Sequence, residues 1–436
     1  MTESRTVRSG FRVLATFQST MPPPDRRLWL LYAIILLDVI VGAATGPIVP
    51  EFVRGLPRPQ LWLALGTGLF LGVQLVAAPL LGKLSDGYGR RPILIVSAIG
   101  TLLANGLLLP VRAGLYFVNR LSDGLTNGMY ATVRSAITDL SPPERLFRNL
   151  GIEGAIISLG FVLGPMAGGL LLTFYDSTPH QQARAVVLLA VALAALNIGL
   201  SLLMRETHAQ RTGLSRRELR RTVAEALNVP QLWRRLQAKG QEHPGLLPLV
   251  LTQVLFTLSI GYYSYFVPYA SLGALRMDAR ALSLFFIFFG TLSIAINYGF
   301  FTFLADRLDQ RRAIRWLALG GVPVLVTYGL VGSSRTALFA TVAVDCLTLS
   351  LIPGLLDGLI AQHTSEQDRG EVFGLNQAVQ GVASITSTLV YGALSVLDLR
   401  LPWAWFALCL AGVAVVAWRA VSTSRSTAAA PPTPSG

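Results

Sequence analysis

Apolar and polar positions alternate along this chain in long blocks. Runs of 19 to 26 mostly apolar residues are separated by short connectors that hold nearly all of the charge. About 20 apolar residues let a helix cross a ~30 Å hydrocarbon core, and a backbone in lipid must satisfy its hydrogen bonds within its own segment. The pattern therefore predicts helices and not the ~10-residue alternating strands of a membrane barrel. Twelve spans are predicted, at 28–50, 61–81, 92–110, 113–133, 151–173, 185–204, 246–270, 281–304, 313–332, 336–358, 372–397 and 401–420. The fold class expected is an all-α membrane protein.

The longest internal connector, 205–245, divides the spans six and six. The expected organisation is an N-terminal arm (1–27), a six-helix bundle (28–204), the connector (205–245), a second six-helix bundle (246–420) and a disordered tail (421–436). The arm lacks the apolar core and small-residue cleavage site of a secretory signal. In the connector, Leu219, Val223, Leu227, Leu232 and Leu236 recur near helical spacing among Arg216, Arg217, Arg220, Arg221, Arg234 and Arg235, with a break at Pro230. This reads either as a basic helix lying against anionic headgroups or as a solvated linker.

Composition agrees. Hydrophobic residues make up 52% and charged residues 14%, against about a quarter charged in a soluble domain. The net charge of +13 would suit nucleic acid were it not segregated. With the N-terminus inside, the cytoplasmic segments hold 27 of the 36 Lys/Arg, the opposite segments 8, and Arg120 lies within a span. That bias is a topology signal: it predicts a multi-pass protein of the plasma (inner) membrane with both termini cytoplasmic and no nucleic-acid partner. Cys346 and Cys409 fall inside spans and read as small core residues. No His, Cys or carboxylate cluster has metal-ligand spacing, so no metal is expected.

Charged residues inside spans are the candidates for chemistry, because each is costly in hydrocarbon and must face protein or a wet cavity. Asp38 lies near the middle of span one, Arg120 and Asp123 one turn apart in span four, and Asp345 near the middle of span ten. Arg120 is the basic residue deepest in a span and so the expected partner of Asp38, while Asp123 competes for it at i,i+3. A static Arg120–Asp123 pair with Asp38 merely hydrogen-bonded is the alternative. Gln253, Tyr262, Asn297 and Gln377 are the polar groups expected to line a substrate cavity. In span five, Gly160, Gly164 and Gly168, with Gly169 beside them, share a face that allows close helix approach, and Pro165 permits a bend. Between spans two and three, the run from Gly82 to Pro92 contains Asp86, Gly89, Arg90 and Arg91; its glycines suit a tight reversal. A weaker copy, with Asp306, Arg311 and Arg312, follows span eight.

That run resembles the cytoplasmic loop motif of the major facilitator superfamily. Three further stretches resemble its twelve-helix drug:proton antiporters, the tetracycline exporters among them: Asp38 with Pro47 and Pro50, Arg120 with Gly124 and Gly128, and Gly160 through Gly169. The resemblance implies two pseudo-symmetric six-helix bundles around a substrate site at mid-membrane. It implies a proton-coupling role for Arg120 and a gating role for the Asp86 loop, with Asp86 facing the N-terminal end of span eleven near Val372. It further implies an export-type helix at span five. The function expected is proton-coupled efflux of drug-like or other small organic molecules. The alternative is transport of a metabolite, sugar or siderophore in either direction. The expected partners are a small-molecule substrate, protons and the bilayer; the chain should act as a monomer with no cofactor beyond the coupling proton. An enzyme is disfavoured by the want of a nucleophile–base pair or nucleotide loop, and a non-transporting sensor by the intramembrane charges.

Overall fold

The computed structural model describes residues 25–175, 177–208, 215–304, 307–365 and 368–428, without the side chains of Pro143, Phe147, Arg216, Arg369 and residues 419–428. Nearly all of the expected arm, Asp306 of the second loop copy, and the last residues of the expected tail lie outside the described residues.

Among the described residues every regular element is helical. In chain order these are α1 (Arg26–Ala44), α2 (Val49–Val53), α3 (Pro59–Tyr88), α4 (Arg90–Gly106), α5 (Ala113–Thr126), α6 (Met129–Leu140), α7 (Pro143–Phe174), α8 (Pro179–Leu203), α9 (Arg216–Leu227), α10 (Val229–Glu242), α11 (Leu246–Ile260), α12 (Tyr262–Leu272), α13 (Ala279–Phe303), α14 (Gln310–Leu330), α15 (Arg335–Thr348), α16 (Ile352–Gln362), α17 (Arg369–Leu397) and α18 (Leu401–Ala428). Polar connector residues start several of them: the side chains of Asp25, Thr178, Asp278, Asp309 and Ser334 accept hydrogen bonds from otherwise unpaired first-turn N–H groups. The last helix runs to Ala428, past the expected start of a disordered tail at 421.

Among the described residues, ten helices or helix pairs are long and apolar enough to cross a membrane. They correspond to the expected spans except the third and fourth. Helix α4 has only 17 residues, and the fourth span breaks at Asn127 and Gly128 into α5 and α6. The break has company. Span one turns through a 3-10 segment at Gly46–Ile48, which holds Pro47. Span seven breaks at Gly261, and span ten at the 3-10 segment Leu349–Leu351 just before Pro353. Spans one, four, seven and ten are thus interrupted, every third one. Such breaks free backbone groups, which is tolerable at membrane depth only inside protein or beside a wet cavity.

Helix α1 packs on α7 and α8, α4 on α8, and α3 on α5; later in the chain, α14 and α11 pack on α18, and α13 on α15. Between the first six expected spans and the last six, α3 meets α17 and α7 meets α13. These cross-contacts run from the end remote from the connector to the middle of the helices, where Gly381 meets Leu75. Gln60 Nε2 donates to Ser395 O, and Arg280 donates to Leu172 O. Gly392 faces Ala64, and Gly290 faces Val162.

The connector helices cover the other end. Helix α9 lies on α3 and α10 on α17. Leu236 is fully buried, and Leu232 and Trp233 pack with it against the core of the last six spans. The second connector helix therefore turns its apolar side to protein, whereas Leu227 at the end of α9 is exposed, as are Arg217, Arg220, Arg221, Arg234 and Arg235. The break at Pro230 is present, with Asn228 capping α10.

Candidate functional site

The intramembrane charges sit on the interrupted helices. Asp38 on α1 is buried, 7% exposed, and accepts a hydrogen bond from Thr101 Oγ1 of α4 at 3.2 Å. Asp123 on α5 is near enough for the two charges to interact, and Tyr130 on α6 senses both. Arg120 lies 3.8 Å from Asp123, its Nε donates to Asn119 Oδ1 at 2.7 Å, and its guanidinium stands 5.6 Å from the rings of Phe70 and Tyr116. Among the described residues no ion pair joins Arg120 to Asp38. The expected partnership gives way to the i,i+3 neighbour because Asp123 shares a helix with Arg120 and needs no second element to reach it.

Asp345 on α15 is wholly buried and has no cation beside it among the described residues. Tyr262 Oη donates to both its oxygens, at 2.7 and 2.8 Å, and Tyr328 Oη donates to Oδ2 at 2.8 Å. Around this cluster stand Tyr263, Phe266, Phe285, Phe286 and Phe289, with Phe266 stacked on Phe285 at 3.9 Å and Tyr328 on Trp403 at 4.7 Å. The void between them is about 10 Å³, room for one water at most. In this conformation the box is closed on its carboxylate. Of the span-seven aromatics, Tyr262, Tyr265, Phe266 and Tyr269 are all buried.

The remaining cavity candidates divide. Gln253 Nε2 on α11 bonds Gln380 Oε1 of α17 at 3.4 Å, and its own carbonyl oxygen is buried without a protein partner. Asn297 Nδ2 reaches Ser350 Oγ at 3.0 Å and so ties α13 to the break in span ten. Gln377 is exposed on α17. The structure brings Tyr262 to Asp345 but keeps Gln253, Asn297 and Gln377 apart from that carboxylate's hydrogen bonds.

The glycine face of span five lies against span one. A Cβ at Gly160 would fall 2.7 Å from Val39 Cβ; at Gly164, 2.6 Å from Ala43 Cβ and 2.9 Å from the backbone at Ala44 and Ile40; at Gly168, 3.1 Å from Ala44 O. Gly169 faces Ser283 on α13. Pro165 lies inside α7 without ending the helix. Span five is thereby pressed onto the helix that carries Asp38.

In the loop run, Gly82 packs toward Ala131 and Gly89 turns the chain with φ +105° between α3 and α4, a conformation that suits glycine. Arg90 is buried, 5% exposed, donating to Ser85 Oγ, Asp86 Oδ1 and Asp139 Oδ2. Arg91 donates to Leu202 O at 3.0 Å. Asp86 thus answers Arg90 and not the start of span eleven near Val372. At that start sits Asp368, bonded to Lys239 at 2.8 Å and His243 at 2.9 Å from the connector. A residue the sequence did not single out, Glu206, caps α4: its carboxylate accepts from the backbone N–H groups of Arg90, Arg91, Thr207 and His208. Burial raises its proton affinity, but these four bonds outweigh that and hold it below the ordinary glutamate range.

A match to the Major Facilitator Superfamily covers residues 28–388. The chain belongs to that superfamily. It is a multi-pass membrane protein, and drug resistance proteins stand among its relatives. The tetracycline resistance protein of class H from Pasteurella multocida is 32% identical over 34% of this chain and 38% of its own length. The quinolone resistance protein NorA from Staphylococcus aureus is 24% identical over 90% of this chain and 96% of its own. The chain spans less than half the length of the tetracycline resistance proteins it matches. The crystal structure of the human organic anion transporter MFSD10 superposes with a TM-score of 0.65, at 18% identity over 91% of this chain and 100% of that one; the likeness is one of fold.

Proposed function

We propose that this superfamily member is a proton-driven exporter of drug-like organic molecules, working as a monomer in the inner membrane by alternating access. In this reading the third and fourth spans complete a set of twelve, the two sixes form two bundles, and the connector and both termini are cytoplasmic. The cross-contacts at the far end then correspond to a state closed to the outside.

One observation carries the reading: the buried carboxylates Asp38 and Asp345, the half-buried Asp123 and the guanidinium of Arg120 lie on three of the four interrupted spans, with a carboxylate in each half. Two carboxylates compete for one cation. When Asp123 takes up a proton, Arg120 is free to turn to Asp38; when Asp123 loses it, Arg120 returns and Asp38 holds a proton or a hydrogen bond instead. A proton is thereby exchanged for a change in helix arrangement, and the rocking of the halves links it to substrate movement. Asp345, held by two tyrosines, is the second proton or substrate site. Similarity to tetracycline and quinolone resistance proteins supports export of flat, drug-sized molecules.

The test is a susceptibility and accumulation panel, with tetracycline, a fluoroquinolone and ethidium, in a host lacking its own efflux pumps. Expression should lower accumulation of at least one compound, and a protonophore should restore it. Unchanged accumulation of all three, or efflux indifferent to the protonophore, would overturn the proposal.

A further inference from the structure

Helices α4 and α8 carry polar side chains that the exchange scheme does not use. Ser97 is 1% exposed, Asn197 1% and Ser201 0%. The hydroxyls of both serines and both amide atoms of Asn197 have no protein partner. Each such group costs about 1–3 kcal/mol if left unmet, and lipid offers nothing to meet it. The two helices are antiparallel neighbours. Arg91 bonds Leu202 O at one end, and Leu102 packs against the cluster of Val41, Ala190 and Ala194 at the other. That register sets Ser97 opposite Asn197. Ser97 lies four residues before Thr101 and Ser201 four residues after Asn197, so each pair shares a helix face about 6 Å apart. The file begins at Thr101, which bonds Asp38, and ends beside Arg91 and Glu206 at the connector surface.

We infer that Ser97, Asn197 and Ser201 hold a chain of internal waters that carries protons between Asp38 and the cytoplasmic surface, inside the first bundle and separate from the substrate cavity. This rests on Asp38 as a proton carrier. Asp38 gives up its proton as its O–H bond breaks; the proton passes through Thr101 and the waters by successive O–H formation and cleavage. It leaves into bulk water near Glu206, and the carboxylate stays behind. The ionisable groups near Asp38 are Asp123 on α5 and Tyr130 on α6. On α7, Glu153 pairs instead with Arg134, and α8 carries no charge between Arg184 and its end.

The experiment is a pH jump on the full chain in lipid nanodiscs, following the infrared carboxyl band that Asp38→Asn removes. Asn197→Leu and Ser97→Ala should each slow relaxation of that band about tenfold or more with its final amplitude kept. Asn197→Ser, which keeps a hydroxyl and leaves room for water, should relax near the parent rate; a packing role alone would make it as damaging as leucine. Parent-like relaxation in both Asn197→Leu and Ser97→Ala overturns the conduit while leaving Asp38 as carrier. If Asp38→Asn removes no band, the carrier assignment falls and the conduit with it.

Discussion

At the scale of single residues, what matters is which neighbour a buried charge finds. Asp345 has two tyrosine hydroxyls and, among the described residues, no cation, so removing one donor leaves a buried carboxyl group short of a hydrogen bond, at a cost of about 1–3 kcal/mol. Tyr328→Phe should therefore cut energised export at least fivefold, and Asp345→Asn should abolish it, as read by dye efflux from intact cells; parent rates in both would remove this site from the mechanism. At Gly164 a methyl group would meet backbone atoms at 2.9 Å, which cannot move aside without shifting α1, and overpacking of this kind costs about 1–3 kcal/mol. Gly164→Ala should impair export and lower the melting temperature, whereas Gly154→Ala, with nothing within 4 Å, should do neither. Much at this scale was legible in the sequence: a lone Asp38 or Asp345 in an apolar run is visible, and so is a four-residue glycine spacing. The partners were not. Tyr328 is one aromatic residue among many until the fold brings it to α15, and the choice of Arg120 between Asp38 and Asp123 depends on a distance that no spacing encodes.

At the scale of elements, helix ends and breaks decide the geometry. Glu206 places a carboxylate on the N-terminal N–H groups of α4, where a negative charge stabilises by up to about 1 kcal/mol. Because its folded proton affinity is lowered, that contribution is complete at neutral pH. It fades as the pH falls below the ordinary glutamate value of about 4.3 and through the lower folded value. Thermal unfolding in detergent should show Glu206→Gln less stable than the parent at pH 7, with the difference closing toward pH 3; a constant gap would mean the charge is not what caps the helix. Helix existence was readable because a 20-residue apolar run has few other options in lipid. The breaks at Asn127–Gly128 and Gly261 were not expected, since a glycine in an apolar run is as consistent with a continuous helix. The connector's leucines were seen at the right spacing, but whether they face lipid, water or protein depends on α3 and α17, which lie far away in sequence.

At the scale of the whole molecule, the charge bias and the single long connector imply an orientation. A cysteine at position 240 should be sealed from a membrane-impermeant thiol reagent in intact cells, while one at position 335 should label; the reverse pattern would invert the topology. The repeat is faint in sequence because the second loop copy lacks the glycines of the first; in the structure a broken helix recurs at every third expected span. In the proposed exporter, the carboxylates in each half would trade protons for substrate. The most direct test is the release of protons from purified protein in weak buffer when a compound selected by the efflux panel is added. The account predicts that the parent releases protons on binding and that Asp38→Asn, Asp123→Asn and Asp345→Asn together release none. Parent-like release from the triple variant, or no release from the parent, would contradict it.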